Sequence, residues 1–288
     1  MKKSTLSVAA IVTNRVIAAL QSGAKLPWIK PWKSSGVGVP FNPSSKTEYR
    51  GINFLMLSMF HGCNSQFLTF NQAKAMGGHV KKGATGNPVF FFGFGEDKST
   101  EPKDSETHDA KTSKYAFTRT YPVFNVNDIE GIELVKSEPR DIIINDFADE
   151  IISRSGVKLN VGTEAFYRPS THEVTMPKRE SFISDDYYYS VYFHELMHST
   201  ATHLGRTLDR TEEPKAFEEL VAELGASMLC AVAGIDTFET DHTASYVQGW
   251  IKALDNDEKF IVKASQQAQK AVDFLLGKTF EKSEEVTA

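Results

Sequence analysis

The chain has 288 residues, 41% of them apolar and 24% charged, a composition typical of a globular protein with room for two domains. No stretch approaches the roughly 18 consecutive apolar residues of a membrane-spanning helix, so we expect a cytoplasmic protein with no membrane partner. The two cysteines, Cys63 and Cys230, are too few for a disulfide framework and indicate free thiols in a reducing compartment.

Charge is distributed unevenly, although the net charge is only −5. Residues 1–95 carry eleven Lys and Arg against a single acid, Glu48, which gives a net charge of +10. Residues 131–288 carry sixteen basic and twenty-eight acidic residues, which gives a net charge of −12. A basic half joined to an acidic half indicates that the basic half binds a polyanion.

The first half, residues 1–132, is predicted to form a mixed α/β domain. It starts like a signal peptide, but Asn14 and Arg15 interrupt the apolar run, and the spacing of apolar residues favours an amphipathic helix over 5–22. The later predicted elements are a Trp/Pro/Gly loop at 27–47, helices near 51–60 and 70–76, and strands near 88–94 and 115–126. The charged stretch 96–114 has almost no apolar residues, so it predicts a mobile loop within this domain.

A boundary near 131–140 precedes the second predicted domain, residues 138–280. Its predicted helices lie near 140–155, 185–203, 213–233, 241–255 and 257–276, with short strands near 157–160, 164–167 and 172–176. The expected fold class is therefore α+β, with a mixed first domain and a mainly helical second domain that has a small sheet.

The sequence HELMH at 194–198 has the form H-E-x-x-H. Histidines four residues apart on a helix project from one face, so His194 and His198 can bind one zinc ion. Glu195 is offset around the helix, where it can act as a general base on the water that the metal holds. A structural helix that binds no metal is the alternative interpretation.

A second helix offers a third ligand, since Glu219 and Glu223 share a face in FEELVAELGA. This arrangement resembles that of the gluzincin metallopeptidases, which implies that Glu219 is a ligand and that Glu223 accepts a hydrogen bond from a ligand imidazole. Glu218 is predicted to be solvated. The metzincin pattern does not fit, because His203 falls one residue early.

His242 and Tyr246, four residues apart on a later predicted helix, are candidates for stabilising a reaction oxyanion. For each of them, an ordinary helix side chain is the alternative interpretation.

The basic half interleaves cations with aromatic rings. This combination suits single-stranded nucleic acid, because cations contact phosphates and rings stack on bases. Half-buried packing of the tryptophans is the alternative. The candidate DNA-binding residues are Lys25, Trp28, Lys30, Trp32, Lys33, Tyr49, Arg50, Asn53, Lys74, Lys81, Lys82 and Arg119.

Long motifs in both halves resemble the ArdC-type antirestriction proteins of conjugative plasmids, whose N-terminal domain also occurs in conjugation primases. In the first half these are PWIKPWKSS, PFNPSSKTEYRGINFLML, FLTFNQAKAMGGHVKKGATGNPVFFF and YPVFNVNDIEGI. In the second half they are FHELMHSTATHLGRTLDR, FEELVAELGASMLC and SYVQGWIKALDNDEKFIVKASQQAQKAVDFLL.

The resemblance implies a single-stranded DNA-binding domain followed by a zincin-like metallopeptidase domain that holds one Zn²⁺ per chain, with Mn²⁺ or another divalent metal as the alternative. It also implies protection of incoming plasmid DNA from restriction, with a restriction subunit or the protein itself as the substrate on DNA. In the alternative hypothesis the metal site is structural or vestigial, and the protein protects DNA only by coating it.

Overall fold

The computed structural model describes residues 7–22, 39–58, 65–97, 113–132, 144–208, 211–235 and 243–278. Helices and small sheets alternate through these segments, which confirms the predicted α+β class. Among the described residues, no helix combines the length and the apolar character that a membrane crossing requires.

The first half combines three helices with four pairs of antiparallel strands. The helices are α1 (Val8–Gln21), α2 (Ile52–Ser58) and α3 (Phe70–Ala75). The strands are β1 (Phe41–Asn42), β2 (Thr47–Glu48), β3 (Phe67–Leu68), β4 (His79–Val80), β5 (Asn87–Asp97), β6 (Ser113–Asn125) and β7 (Ile129–Glu130). Strands β3, β6 and β5 form one sheet in that order, while β1 pairs with β2 and β4 with β7.

Strands β5 and β6 form a long antiparallel ribbon that pairs residue by residue from Asn87↔Val123 to Asp97↔Ser113. The segment that connects them was predicted as a mobile loop, and its residues 98–112 lie outside the described ones. The two flanks pair with each other within one sheet, and residues 96–97 and 113–114, predicted as the ends of the loop, belong to these strands.

In the described residues of the second half, five α-helices accompany a three-stranded sheet. After α4 (Ile144–Arg154), the strands β8 (Lys158–Val161), β9 (Phe166–Arg168) and β10 (Glu173–Met176) form a sheet in the order β8–β10–β9. The remaining helices are α5 (Asp185–Ser199), α6 (Glu212–Ala233), α7 (Thr243–Asn256) and α8 (Phe260–Leu275). Each agrees with a predicted helix to within a few residues, apart from the end of α5.

The largest hydrophobic core joins the two halves. Val12 and Val16 of α1 and Leu55 of α2 belong to the same buried cluster as Trp250 of α7 and Ile261 of α8. The amphipathic first helix is therefore confirmed, and its apolar face packs on helices of the second half.

Helices α5 and α6 approach closely at a glycine. A Cβ atom built on Gly225 would lie 2.2 Å from Sδ and 2.8 Å from Cγ of Met197, a fully buried residue of α5. The Met197 side chain therefore occupies the space that a side chain at position 225 would need, and α6 packs directly on this residue of the motif helix.

We predict that Gly225→Ala lowers the thermal midpoint, although alanine favours helices. Overpacking costs about 1–3 kcal/mol, and the helix propensity of alanine offsets roughly 1 kcal/mol of this. Gly249→Ala is the matched control, because its added Cβ would meet only the Cβ of Ala216, at 4.0 Å. Calorimetric melting should show a lower midpoint for the first variant and a slightly higher one for the second. Higher midpoints for both would contradict the close approach.

Candidate metal centre

The motif helix α5 begins at a well-formed cap. The hydroxyl of Ser184 accepts a hydrogen bond from the backbone N–H of Tyr187, and Asp185 and Asp186 occupy the positive first turn. On the inner face near the other end, the His194 and His198 rings lie 5.0 Å apart between centroids. Their Nε2 atoms face each other at 3.3 Å. The prediction that both imidazoles share one face is borne out.

Helix α6 brings a carboxylate to the same point. Glu219 Oε2 lies 3.5 Å from the Nε2 atom of His194 and 3.9 Å from that of His198. Four ligands placed tetrahedrally at zinc-to-nitrogen distances would be about 3.3 Å apart, so the three atoms are arranged like three corners of such a tetrahedron. Among the described residues, these three are the cluster whose ligand atoms converge closely enough to hold a metal ion. The donor set therefore fits a divalent cation.

Glu218 lies next to the site, and the prediction that it is solvated is wrong. Its side chain is only 6% exposed, and one carboxylate oxygen accepts a hydrogen bond from Nδ1 of His198 at 3.3 Å. Helix α6 is buried on nearly every side, so a residue outside the Glu219–Glu223 face still points into protein. The bond holds His198 with Nδ1 protonated and leaves Nε2 available to a metal.

Arg206 neutralises Glu218. The arginine side chain is 5% exposed, and it contacts both oxygens of that carboxylate, at 2.9 Å from Nε and 3.1 Å from Nη2. The same Nη2 group donates to the carbonyl of Met197 at 2.7 Å, near the end of α5. Sequence patterns did not reveal Arg206, because it lies in a loop without periodicity.

Glu223 lies on the other side of the pair of rings. Its Oε1 atom is 3.6 Å from Nδ1 of His194, a buried nitrogen that has no hydrogen-bond partner at normal distance. Glu223 thus lies beside the imidazole of a candidate ligand, as predicted, but its oxygen is slightly beyond hydrogen-bonding distance from Nδ1. A small movement of either side chain would give His194 an acceptor equivalent to the one that His198 has in Glu218.

The charges around the rings favour a cation. Burial opposes protonation of His194, but the hydrogen bond to Glu219 and the charges of Glu223 and Glu195 outweigh it and raise the pKa of this imidazole to about 9. Burial likewise disfavours ionisation of Glu219, but the two histidines hold the pKa of its carboxyl below the ordinary value. Carboxylates that attract a proton to this point attract a divalent cation for the same reason.

The other candidate side chains lie around this centre. Glu195 is buried next to His194 on α5. The hydroxyl of Tyr246 on α7 is close enough to donate a hydrogen bond to the Glu219 carboxylate, and the Lys215 ammonium lies 5.3 Å from the centre of the Tyr246 ring. Burial is the main reason that the pKa of this tyrosine is raised. His242, the other oxyanion candidate, lies outside the described residues.

His203 does not reach the centre. Its ring packs 5.6 Å from that of His172 and stacks at 5.2 Å on Phe274 of α8. These contacts make it a packing residue, in agreement with the misfit of the metzincin pattern.

Several of the predicted DNA-binding residues have partners within the protein, and three of these are themselves partly buried. Tyr49 packs edge-on against Phe67, and burial raises the pKa of its hydroxyl to about 12. The Asn53 side chain exchanges two 2.8 Å hydrogen bonds with the backbone of Phe90. Arg50 forms an ion pair with Asp273 of α8, so it links the two halves.

The other predicted DNA-binding residues divide into two groups. Lys74, Lys81, Lys82 and Arg119 are exposed. The remaining five lie outside the described residues: Lys25, Trp28, Lys30, Trp32 and Lys33.

Two family models match separate parts of this chain. Residues 7–124 match the N-terminal domain of the anti-restriction factor ArdC, and residues 146–267 match a zincin-like metallopeptidase domain. The second match contains the two histidines and Glu219.

Known proteins resemble almost the whole chain. The metal-free crystal structure of the antirestriction protein ArdC from plasmid R388 is 32% identical, with a TM-score of 0.77, and the match covers 95% of this chain and 98% of that one. The Mn(II)-bound crystal structure of the same protein is 31% identical, with a TM-score of 0.76 and the same coverage. DNA primase TraC of Escherichia coli is 33% identical over 283 residues, which are 92% of this chain and 26% of the primase. This chain thus spans about a quarter of the length of that relative.

We predict that Glu218→Gln weakens Mn²⁺ or Zn²⁺ binding about 10- to 100-fold, because an uncharged partner orients and polarises His198 less well. Titration calorimetry on metal-free protein measures the effect. Glu150→Gln is the control, since Glu150 is an exposed glutamate that pairs with Arg154 on α4. Melting curves in chelator report any loss of folding. Equal metal affinity in Glu218→Gln and the unmodified protein would show that this carboxylate does not support the site.

Proposed function

The chain belongs to the family of ArdC antirestriction proteins, and from this premise we propose that it binds single-stranded DNA through its basic half and cleaves protein at a divalent metal site, protecting incoming plasmid DNA from restriction. The observation that carries the enzymatic part is the convergence of His194, His198 and Glu219, with 3.3 to 3.9 Å between ligand atoms. Zn²⁺ is the metal we expect, because two imidazoles and a carboxylate on helices form a common catalytic zinc site.

In the proposed mechanism, His194, His198 and Glu219 would hold the metal. A metal ion held there would supply Lewis acidity toward water and the scissile carbonyl. Glu195 accepts the proton of the attacking water and passes it to the leaving amine. Glu218 keeps His198 in the tautomer that the site requires.

Tyr246 is the residue we assign to oxyanion stabilisation. It lies beside Glu219, and its hydroxyl is kept protonated because burial raises the pKa. A protonated hydroxyl can donate a hydrogen bond to the oxygen that gains negative charge during attack on the amide. Stacking on Trp250, whose indole N–H bonds the carbonyl of Ala216, fixes the position of the ring.

The DNA-binding part is supported by the charge of the first half and by the exposed cations Lys74, Lys81, Lys82 and Arg119. Core packing does not require such an excess of positive charge, whereas phosphate binding does. Because Tyr49, Arg50 and Asn53 are partly buried, unlike the four exposed cations, we assign them to the framework beneath the DNA-binding surface.

We predict that Glu195→Gln retains metal and single-stranded DNA binding but cleaves protein about 10²- to 10⁴-fold more slowly, because the general base is lost. Cleavage of labelled casein, with and without oligonucleotide, measures turnover, and plasmid transfer into a restricting host measures protection. His194→Ala is the comparison, since it should also lose the metal. Full protection by Glu195→Gln would contradict the proteolytic role and leave DNA coating as the function.

We also predict that affinity for an oligothymidylate falls steeply as salt rises. Each lost phosphate contact should reduce the slope of log affinity against log salt by about 0.7. Fluorescence anisotropy of Lys74→Ala and Lys82→Ala tests this, with Lys270→Ala on α8 as the matched control. Affinity that does not change with salt would contradict phosphate binding.

A further inference from the structure

On one face of the β5–β6 ribbon, buried residues are followed along the strands by exposed aromatic residues. Val89 and Val123 on this face are completely buried. Next to them, Tyr121 pairs with Val89 and is 39% exposed, and Phe91 is 44% exposed. Successive residues of a strand alternate between faces, so Phe91 and Val89 lie on the same one.

A cation lies next to both exposed rings on this face. Arg119 is the cross-strand partner of Phe91 and stands two residues before Tyr121 on β6, so all three side chains share the face. Arg119 is itself exposed. Phe91 and Tyr121 are diagonal neighbours across the ribbon, roughly 7–8 Å apart in an antiparallel pair.

The surface beneath these side chains is packed. Tyr49 and Phe67 contact each other edge-on, and both pack with Val89 and Val123. The hydroxyl of Tyr121 lies near enough to that of Tyr49 to influence its pKa. A ring that rests on such a cluster loses little conformational freedom when a ligand stacks on it.

We propose that Phe91, Arg119 and Tyr121 form a platform for the bases of single-stranded DNA, with the rings stacking on two bases and Arg119 binding a phosphate between them. The proposal rests on the proposed DNA-binding function and locates it on the ribbon. Rings interleaved with a cation match a ligand that alternates bases with phosphates, whereas a duplex keeps its bases stacked within the helix. The short apolar surface is interrupted by the charge of Arg119, so it fits a nucleic acid better than an apolar protein surface.

The test compares an oligothymidylate with an oligonucleotide of the same length whose sites are abasic. Unmodified protein should bind the oligothymidylate more tightly, because only that ligand has bases to stack. Phe91→Leu and Tyr121→Leu should each weaken oligothymidylate binding about fivefold to a hundredfold, with little change for the abasic strand. Phe91→Tyr should bind nearly as well as the unmodified protein, since it keeps the ring.

Phe92→Leu is the matched control. Phe92 is the next residue, 52% exposed, and its side chain lies on the opposite face of the same strand. This variant should bind both oligonucleotides normally. Melting curves of each variant exclude loss of folding as the cause.

The outcomes separate this proposal from the function on which it rests. If unmodified protein binds the oligothymidylate tightly and Phe91→Leu binds it equally well, the platform is wrong and DNA binding stands. If unmodified protein binds neither oligonucleotide, the DNA-binding function itself fails. Equal weakening by Phe91→Leu and Phe92→Leu would overturn the assignment to this face, as would equal weakening toward both oligonucleotides.

Discussion

The close crossing of α5 and α6 at Met197 and Gly225 is the constraint on which the candidate site depends. Neither helix carries a complete set of ligands, because α5 supplies two imidazoles and α6 supplies the carboxylate. Metal ligation requires atoms placed to within a few tenths of an ångström, which a flexible junction cannot provide. The Met197 side chain of α5 packs directly on Gly225 of α6, and beside this contact the Glu219 oxygen lies within 3.9 Å of both Nε2 atoms.

The sequence was sufficient to predict elements with a strong period and ligands with a fixed spacing. The helices and strands of the second half and the pair His194 and His198 were found in this way, because local geometry determines which side chains share a face. Glu218 was misjudged, since the pattern of one helix does not show that several neighbours surround it. Arg206 was missed because its partner is distant in sequence and the loop carries no period.

In the first half, too, contacts between residues distant in sequence could not be predicted. Tyr49, Arg50 and Asn53 are polar or amphipathic residues in a basic segment, which is typical of a binding surface. Their actual partners, which include Phe67 and Asp273, come from other strands and from a helix more than two hundred residues away, and no local pattern predicts such pairs. The strands of only two residues, such as β1 and β4, were also missed, because two residues cannot display an alternation.

The energetics of the centre bear on whether the metal site is vestigial. Glu218, Glu223 and Arg206 are charged groups with almost no exposed side chain, and burying such groups costs several kcal/mol each before partners compensate. Apolar side chains of similar size would pack two helices as well or better, so a purely structural crossing gains nothing from this network. Without a metal ion, Glu219 and Glu223 hold a proton on the imidazole between them, since they raise the pKa of His194. A divalent ion can replace that positive charge and uses the tautomer that Glu218 imposes on His198, so the arrangement is explained more simply by a site that binds metal than by a remnant of one.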